Sequence, residues 1–297
     1  MKIKPFFVPA LLLIACGEAP KTKDAVESMK QELAQENIPM TVPDTTLPDN
    51  WNAVEFNTNF GKIVVGLNPA TPKHSENFYK LASEGYYNGV LFHRVIKQFM
   101  VQTGDPNSKN AKPGQQLGDG GPKYKLPAEI SDTLYHFKGA LAAARESDQN
   151  NPMKMSSGSQ FYIVTGSPVS SNKMKEMLEQ NVIKEFLARR ENMEFQMRLN
   201  TAFEMGNQLA ADNVIKEIKP LVKDQIEEAF KKVPEKVRNI YGSWGGTPFL
   251  DQQYTVFGKV ISGHHIVDKI QWVETDKNDR PVSDVKIIST KVIPKKK

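Results

Sequence analysis

The sequence is poor in the residues that build disulfide, metal and nucleotide sites. Its 297 residues include a single cysteine, Cys16, so a disulfide framework within the chain is excluded. It contains neither a phosphate-loop nor a dinucleotide-binding glycine pattern, and no cysteine and histidine spacing typical of zinc. We therefore expect no metal and no cofactor.

Dense charge of one sign is also lacking. The net charge is +5, but lysine and arginine are spread along the chain and no predicted element has a basic face. The last three residues, Lys295 to Lys297, are expected to be solvated. Nucleic acid is therefore not an expected partner, and the composition is that of an ordinary soluble globular protein.

The first apolar run, from Phe6 to Ala15, is too short to span a bilayer. It follows Lys2 and Lys4, which predicts a secretory signal peptide over residues 1–16. Leu-Ile-Ala-Cys at its end resembles a bacterial lipobox, in which the cysteine, here Cys16, is lipidated. An ordinary signal peptide or a buried N-terminal segment is the alternative. The absence of aspartate after Cys16 favours the outer membrane of a bacterial cell envelope over the inner one and leaves the membrane face open.

Residues 17–50 are polar and contain four prolines, which predicts a tether. Such a segment, if flexible, reaches roughly 30 Å. From Val54 onward, alternating apolar residues predict strands, with a hairpin around Asn59-Phe60-Gly61. A helix is expected after Thr71-Pro72, with Thr71 as its N-cap and Gly85 as its stop. Further strands are expected within residues 91–105, 139–144, 160–164, 254–260 and 285–293, and a short helix over 263–271.

Residues 170–246 interrupt these strands with a helical pattern. Apolar residues recur there at three- and four-residue steps, and Gly206, Pro220 and Pro234 divide the segment, which predicts two or three packed helices. Its methionines either pack the helices together, the interpretation that we favour, or form an adaptable surface that captures unfolded chains. These methionines are Met174, Met177, Met193, Met197 and Met205.

Arg94 lies among apolar neighbours within residues 91–105. A guanidinium is rarely buried unless it is paired or used. Taken alone, Arg94 is compatible with a structural ion pair or with a ligand site lined by Phe99 and Met100.

The same segment resembles the signature of the cyclophilins, which are peptidyl-prolyl cis-trans isomerases. That signature is a Phe-His-Arg, then Phe-Met, Gln and Gly-Asp, present here as Phe92, His93, Arg94, Phe99, Met100, Gln102, Gly104 and Asp105. Two later runs also resemble the family, one over residues 158–162 and one over 249–260. The resemblance covers roughly residues 51–166 and 247–293.

The resemblance implies a mainly β protein. The expected fold is a closed eight-stranded antiparallel barrel of the cyclophilin type with two capping helices. It would span residues 51–293 and carry the α-helical insert at about 170–246.

The resemblance also implies roles for individual residues. Arg94 would donate to the prolyl nitrogen, and Gln102 would position Arg94 or the substrate carbonyl. The implied substrate-binding residues are Phe99, Met100, Ala144, Arg145, Gln160, Tyr162, Phe249, Leu250 and Tyr254. Tyr162, Phe249 and Tyr254 differ from the commonest eukaryotic residues, and the hydroxyl of Tyr162 needs a partner. His93 is expected to be structural, and Asp105 to cap a turn.

The implied activity is isomerisation of Xaa-Pro bonds in exported or envelope proteins, which would assist their folding. The expected partners are proline-containing polypeptides and, through the lipid on Cys16, a membrane. The alternative is a proline-segment binding or chaperone module with weak or no isomerase activity. The client proteins and the oligomeric state are left open by the sequence.

Overall fold

The computed structural model describes residues 42–296, so the predicted signal peptide, Cys16 and most of the predicted tether lie outside the described residues. The chain divides into two compact units. We call residues 39–168 and 243–297 the sheet unit, and residues 169–242 the helical unit. Among the described residues, no helix combines the length and the apolar character that crossing a membrane requires.

The sheet unit is dominated by short antiparallel strands. They are β1 (Asn52–Thr58), β2 (Gly61–Leu67), β3 (Arg94–Ile96), β4 (Met100–Thr103), β5 (Lys125–Leu126), β6 (Ala140–Ala143), β7 (Ser156–Ser157), β8 (Phe161–Val164), β9 (Val256–Ser262) and β10 (Ile287–Ile293). Eight of them form one sheet in the order β10-β1-β2-β9-β6-β8-β4-β3, while β5 and β7 form a separate pair.

The helices of the described residues lie in both units. They are α1 (Pro72–Ser83), α2 (Ser171–Ala188), α3 (Met193–Glu204), α4 (Gln208–Leu221), α5 (Lys223–Lys232), α6 (Glu235–Ser243) and α7 (His264–Gln271).

The eight-stranded sheet is open, so the prediction of a closed barrel is wrong. Its edge strands, β3 and β10, do not form a ladder; a single bridge joins Leu91 to Lys286, just before each of them. β3 has only three residues, and a loop occupies its outer edge, where the Val95 N–H donates to the Asp279 carbonyl at 2.8 Å. A strand this short with an occupied edge cannot pair with β10 along its length.

Alternation along the strands gives the sheet two different faces. The core face carries large apolar side chains, including Phe56, Val65, Val101, Leu141, Phe161 and Ile163. Both α1 and α7 pack against it, through Phe78 and Leu81 from α1 and Ile266 and Ile270 from α7. The outer face carries a second, smaller cluster that includes Met100, Ala140, Ala142, Tyr162, Val164 and Val256.

Helix α1 begins and ends as predicted, but its N-terminal cap comes from elsewhere in the chain. Thr71 is the N-cap residue, yet its hydroxyl donates to the carbonyl of Asn68 rather than serving the helix. The carboxylate of Glu129 instead accepts the N–H groups of Lys73 and His74, at 3.1 and 2.9 Å. A carboxylate at this end satisfies two otherwise unpaired donors and interacts favourably with the helix dipole.

The helical segment contains five α-helices, α2 to α6, rather than the two or three predicted. Breaks at residue 192, at Gly206 with its φ of 63°, at Val222 and before Glu235 divide it further than the sequence pattern indicates. The helical unit has its own core, formed by Ile183, Phe186, Leu187, Leu199, Ala211, Val214 and Ile218, among others. Met174 is buried, whereas Met193, Met197 and Met205 are 50%, 52% and 75% exposed. Packing between helices, the role that we favoured for the methionines, therefore does not fit these three exposed residues.

The end of the predicted tether contacts the sheet unit. The Lys259 ammonium donates to the carbonyl of Asp44 and lies 5.4 Å from the centroid of the Trp51 ring. The Lys296 N–H donates to the carbonyl of Asp49 at 2.9 Å. Residues 44–49 are therefore held at the surface of this unit.

Candidate functional site

The outer face of β3, β4 and β8 brings the predicted polar residues together. Because alternate residues of a strand share a face, Arg94 is on the same side of the sheet as Met100 and Gln102. The strand register pairs Arg94 with Gln102, and Gln102 with Tyr162 on the next strand. One cation, one amide and one phenol thus form a row across three strands.

An apolar cluster lies beside this row. Met100, Tyr162 and Leu250 are its buried members among the predicted residues. The partly buried ones are Phe99, Ala144, Phe249 and Tyr254. Phe99 and Phe249 stack with ring centroids 5.6 Å apart, which makes an aromatic wall at the rim of the cluster.

Arg94 lies at the edge of this face and is paired with a residue that the sequence analysis did not identify. Its Nε is 3.5 Å from Oδ2 of Asp279, and the two side chains are 44% and 43% exposed. An exposed pair of this kind contributes only about 0–1 kcal/mol to stability. The guanidinium can therefore exchange its partner at little cost. Asp279 itself has a φ of 63°, which is uncommon for a residue other than glycine.

Gln102 is held by a chain of hydrogen bonds. Its Nε2 donates to Oε1 of Gln160 at 3.1 Å, and the Gln160 Nε2 donates to the carbonyls of Gly118 and Gly120 at 2.6 and 2.7 Å. The carboxylate of Asp105 accepts the N–H groups of both glycines. A Cβ on Gly120 would collide with that carboxylate, so the position requires glycine.

The role predicted for Asp105 is confirmed, because its Oδ1 also accepts the N–H of Asn107, two residues further on, at 2.8 Å. Gln160 uses both ends of its amide on protein partners, so it orients Gln102. The contact predicted between Gln160 and the substrate backbone stays a prediction.

The Tyr162 hydroxyl has the partner that the sequence analysis required. It lies 3.1 Å from Nε2 of His136, a fully buried residue. The Nδ1 of His136 is 2.9 Å from Oδ1 of Asp251, which also accepts the backbone N–H of His136 at 2.8 Å. Burial raises the pKa of Tyr162 well above its ordinary value, so the phenol is protonated and can donate.

The groove side of the cluster is formed by Ala144, Arg145 and Tyr254. The Arg145 guanidinium stacks 4.3 Å from the centroid of the Tyr254 ring and pairs with Asp148 at 2.6 Å. Both backbone groups of Ala144 are used, because its N–H donates to Gln160 and its carbonyl accepts from Ser157. The Arg145 guanidinium also donates to the carbonyls of Gln253 and Glu146, at 3.0 and 2.9 Å, which holds it against the Tyr254 ring.

His93 is buried, and burial lowers its pKa to about 4. At neutral pH the ring is uncharged and unsuited to act as a proton acceptor in the reaction. This agrees with the structural role that we expected from the sequence.

Two residues at this site, His136 and Asp279, were not predicted from the sequence. Neither belongs to a motif, and each is distant in sequence from its partner: His136 is 26 residues from Tyr162, and Asp279 is 185 residues from Arg94. The only available signal was indirect, since a buried tyrosine hydroxyl requires a hydrogen-bond partner.

The arrangement is suited to binding and polarising a small apolar group. The cluster offers a dry surface, and Arg94 presents a cation with several donors at its edge. Such a site can hold a ring and donate a hydrogen bond to an atom of that ring.

Known proteins are similar to this chain over most of its length. The family model described as cyclophilin type peptidyl-prolyl cis-trans isomerase/CLD matches residues 53–208 and 238–292. A protein of Staphylococcus haemolyticus, named as a peptidyl-prolyl cis-trans isomerase, is 31% identical over 83% of this chain and 93% of its own length.

Two further proteins are similar over much of this chain. A protein of Streptococcus pyogenes, named as a bifunctional phosphatase/peptidyl-prolyl cis-trans isomerase, is 30% identical, and the match covers 80% of this chain but 37% of that longer protein. A crystal structure of a Cryptosporidium parvum cyclophilin-type isomerase aligns with a TM-score of 0.47 and 20% identity, covering 82% of this chain and 98% of that one.

Proposed function

The chain belongs to the family of cyclophilin-type peptidyl-prolyl cis-trans isomerases, and from this premise we propose that its outer face catalyses the rotation of Xaa-Pro bonds in polypeptides. The observation that carries the proposal is the position of Arg94 and Gln102 in one row beside the apolar cluster. The apolar cluster, which contains seven of the eleven side chains predicted from the resemblance, also supports the proposal.

The reaction demands little covalent chemistry from the protein. Rotation about a peptide bond is slow because its partial double-bond character imposes a barrier of about 18–20 kcal/mol. Uncatalysed prolyl exchange takes tens to hundreds of seconds, and exchange in milliseconds requires about five decades, or roughly 7 kcal/mol. No bond is broken, so the site needs only to bind the twisted amide better than the planar one.

The residues on the outer face can supply this preference. Phe99, Met100 and Leu250 bind the prolyl ring and exclude water. The Arg94 guanidinium leaves Asp279 and donates to the prolyl nitrogen, whose lone pair becomes available only when the amide twists. Gln102, oriented by Gln160, holds Arg94 or the substrate carbonyl in register.

The test is prolyl exchange in a short Xaa-Pro peptide, measured with the full-length protein and with Arg94→Ala. We expect kcat/KM to fall by two decades or more in the variant, a loss of roughly 3 kcal/mol of transition-state stabilisation. Arg94→Lys is the matched control for charge, and it should recover little because lysine lacks the rigid fork of donors. Exchange at the uncatalysed rate in the folded parent protein would instead support a module that binds proline segments without isomerising them.

For the location, we propose that Cys16 is acylated and that residues 17–43 tether the sheet unit to a bacterial envelope membrane, where exported proteins are the substrates. The support is the Leu-Ile-Ala-Cys sequence after a short apolar run. Expression of Cys16→Ser beside the parent in a bacterial host tests this. The parent should partition into detergent with a mass increase of the acyl chains, and an unmodified parent that stays in the aqueous phase would contradict the anchor.

A second candidate function concerns the helical unit. Met193, Met197, Met205 and Leu209 are each at least half exposed, and adaptable methionine surfaces suit binding of varied apolar segments. We propose that they capture unfolded clients. Replacing all four by serine should reduce suppression of aggregation while leaving exchange in a short peptide unchanged. Equal suppression by parent and variant would refute client capture by these residues.

A further inference from the structure

Three residues of the sheet unit, the buried Tyr162 and His136 and the partly buried Asp251, form a hydrogen-bonded row that the reaction described above does not use. The Tyr162 hydroxyl, the His136 ring and the Asp251 carboxylate follow one another at 3.1 and 2.9 Å. We propose that His136, held by Asp251, is a positioning residue that keeps the Tyr162 hydroxyl out of the proline pocket and so sets the affinity for the prolyl ring. This inference rests on the proposed function of the outer face.

In a neutral His136 ring, the carboxylate of Asp251 determines which nitrogen carries the proton. Oδ1 of Asp251 already accepts the His136 backbone N–H at 2.8 Å and lies 2.9 Å from Nδ1. A carboxylate is an acceptor only, so Nδ1 must be the protonated nitrogen. Nε2 then has a lone pair directed at Tyr162, and the phenol must donate to it.

His136 also holds the turn that carries two other pocket residues. Its carbonyl accepts the N–H of Thr247 at 2.9 Å, and Thr247 precedes the 3-10 helix Pro248–Leu250. Asp251 follows that helix directly. His136 is thus bonded at both ends of the turn that presents Phe249 and Leu250 to the cluster.

The consequence for binding follows from the cost of an unpaired hydroxyl. With its donor used on His136, Tyr162 offers the prolyl ring only its apolar surface. Without His136, the hydroxyl would hold water or turn toward the pocket. Binding of proline would then have to remove that water and bury the group without a partner, which is unfavourable.

A double-mutant cycle in the full-length protein tests this. The primary measurement is the dissociation constant of a short Ala-Pro peptide, because it does not depend on catalysis. We expect His136→Leu to raise this constant about tenfold or more, equivalent to about 1.4 kcal/mol. Tyr162→Phe removes the hydroxyl and keeps the ring, so in that background His136→Leu should have little further effect, and the double variant should bind as Tyr162→Phe does because no hydroxyl then needs a partner. A double variant that binds as weakly as His136→Leu would overturn the proposal.

The chain contains a matched control for the loss of a buried histidine. The Nδ1 of His74 is 2.6 Å from Oε2 of Glu129, which also accepts the His74 backbone N–H at 2.9 Å. That pair packs near Phe257 on the core face, away from the outer face. His74→Leu should lower stability as His136→Leu does but leave peptide affinity unchanged. An equal loss of affinity in both variants would mean that His136 acts only through stability, contrary to the proposal.

The protonation state provides a readout independent of the peptide. Nitrogen NMR of the imidazole rings should show His136 protonated at Nδ1 and accepting at Nε2. The opposite tautomer would overturn the proposal, because Tyr162 could not then donate.

The role of His136 and the proposed isomerase activity can fail separately. A parent protein that binds the peptide without accelerating exchange would contradict the proposed isomerase. The double-mutant cycle, measured as peptide affinity, would still decide the role of His136. The absence of any binding would refute both.

Discussion

The two faces of the sheet are built from the same strands but differ in what covers them. On the core face, α1 and α7 bury a cluster of large side chains in which Phe56, Phe78, Tyr87 and Phe161 lie in mutual ring contact. On the outer face, the strands carry smaller residues such as Ala140 and Ala142, with aromatic side chains at the rim. The core face therefore supplies the packing that stabilises the sheet, and the outer face is the one on which we propose that peptides bind.

The largest difference between the faces is expected at the adjacent residues Phe161 and Tyr162, whose side chains point to opposite faces of the sheet. Phe161→Ala should lower the free energy of unfolding by about 3–5 kcal/mol, the usual cost of emptying a buried aromatic site. Urea denaturation measures this loss, and peptide affinity of the remaining folded protein should be unchanged. A loss below about 1 kcal/mol would show that the core face is less tightly packed than its contacts indicate.

The buried residue His93 should make the stability of the protein depend on pH. Its pKa is about 4 in the folded protein, below its ordinary value of 6.5, so the unfolded state binds the proton first as the pH falls. The stability that His93 contributes is complete above pH 6.5 and is lost as the pH drops toward 4, by about 3 kcal/mol in all.

Urea denaturation between pH 7 and pH 4 checks this expectation. His93→Phe should lose less stability over that range than the parent. His265→Phe, a change at an exposed histidine, should retain the parent's slope. Parallel curves for the parent and His93→Phe would contradict the expected role of burial.

A smaller effect is expected at the aromatic wall of the outer face. Phe249→Ala removes the stack on Phe99 and opens the side of the pocket. It should weaken Ala-Pro peptide binding about tenfold, or about 1.4 kcal/mol. Phe60→Ala, at a partly buried aromatic against the core cluster, is the matched control: it should reduce stability and not affinity. Weaker peptide binding by Phe60→Ala and unchanged binding by Phe249→Ala would contradict the distinction between the two faces.

The smallest effect is expected at Asp279. Asp279→Asn removes the charge that Arg94 must leave to reach the substrate, and because the pair is exposed, kcat/KM should rise only about threefold, within the 0–1 kcal/mol of such pairs. Asp279→Gly should show the same kinetic change with higher stability, since glycine adopts a positive φ without strain. Slower exchange in either variant would instead mean that Asp279 positions Arg94 for the reaction.

Much of the fold could be predicted from local pattern. The alternation of apolar and polar residues predicted β1, β2, β8 and β9 to within a few residues, and Thr71-Pro72 predicted the start of α1. Closure of the sheet could not be predicted, because it depends on whether a loop around Asp279 occupies the edge of β3. The number of helices in the insert was also underestimated, since the break at residues 189–192 contains neither proline nor glycine.

The sequence by itself determined which residues are predicted to carry the chemistry at the candidate site. Arg94, Phe99, Met100 and Gln102 lie within nine consecutive residues, so a single hairpin presents them together. Only the tertiary structure decided what holds them. The partners of Tyr162, Gln102 and Arg94 come from strands and loops far away in the chain. The physical reason is that a buried hydroxyl, amide or charge specifies only that a partner must exist, and packing of distant segments selects which residue provides it.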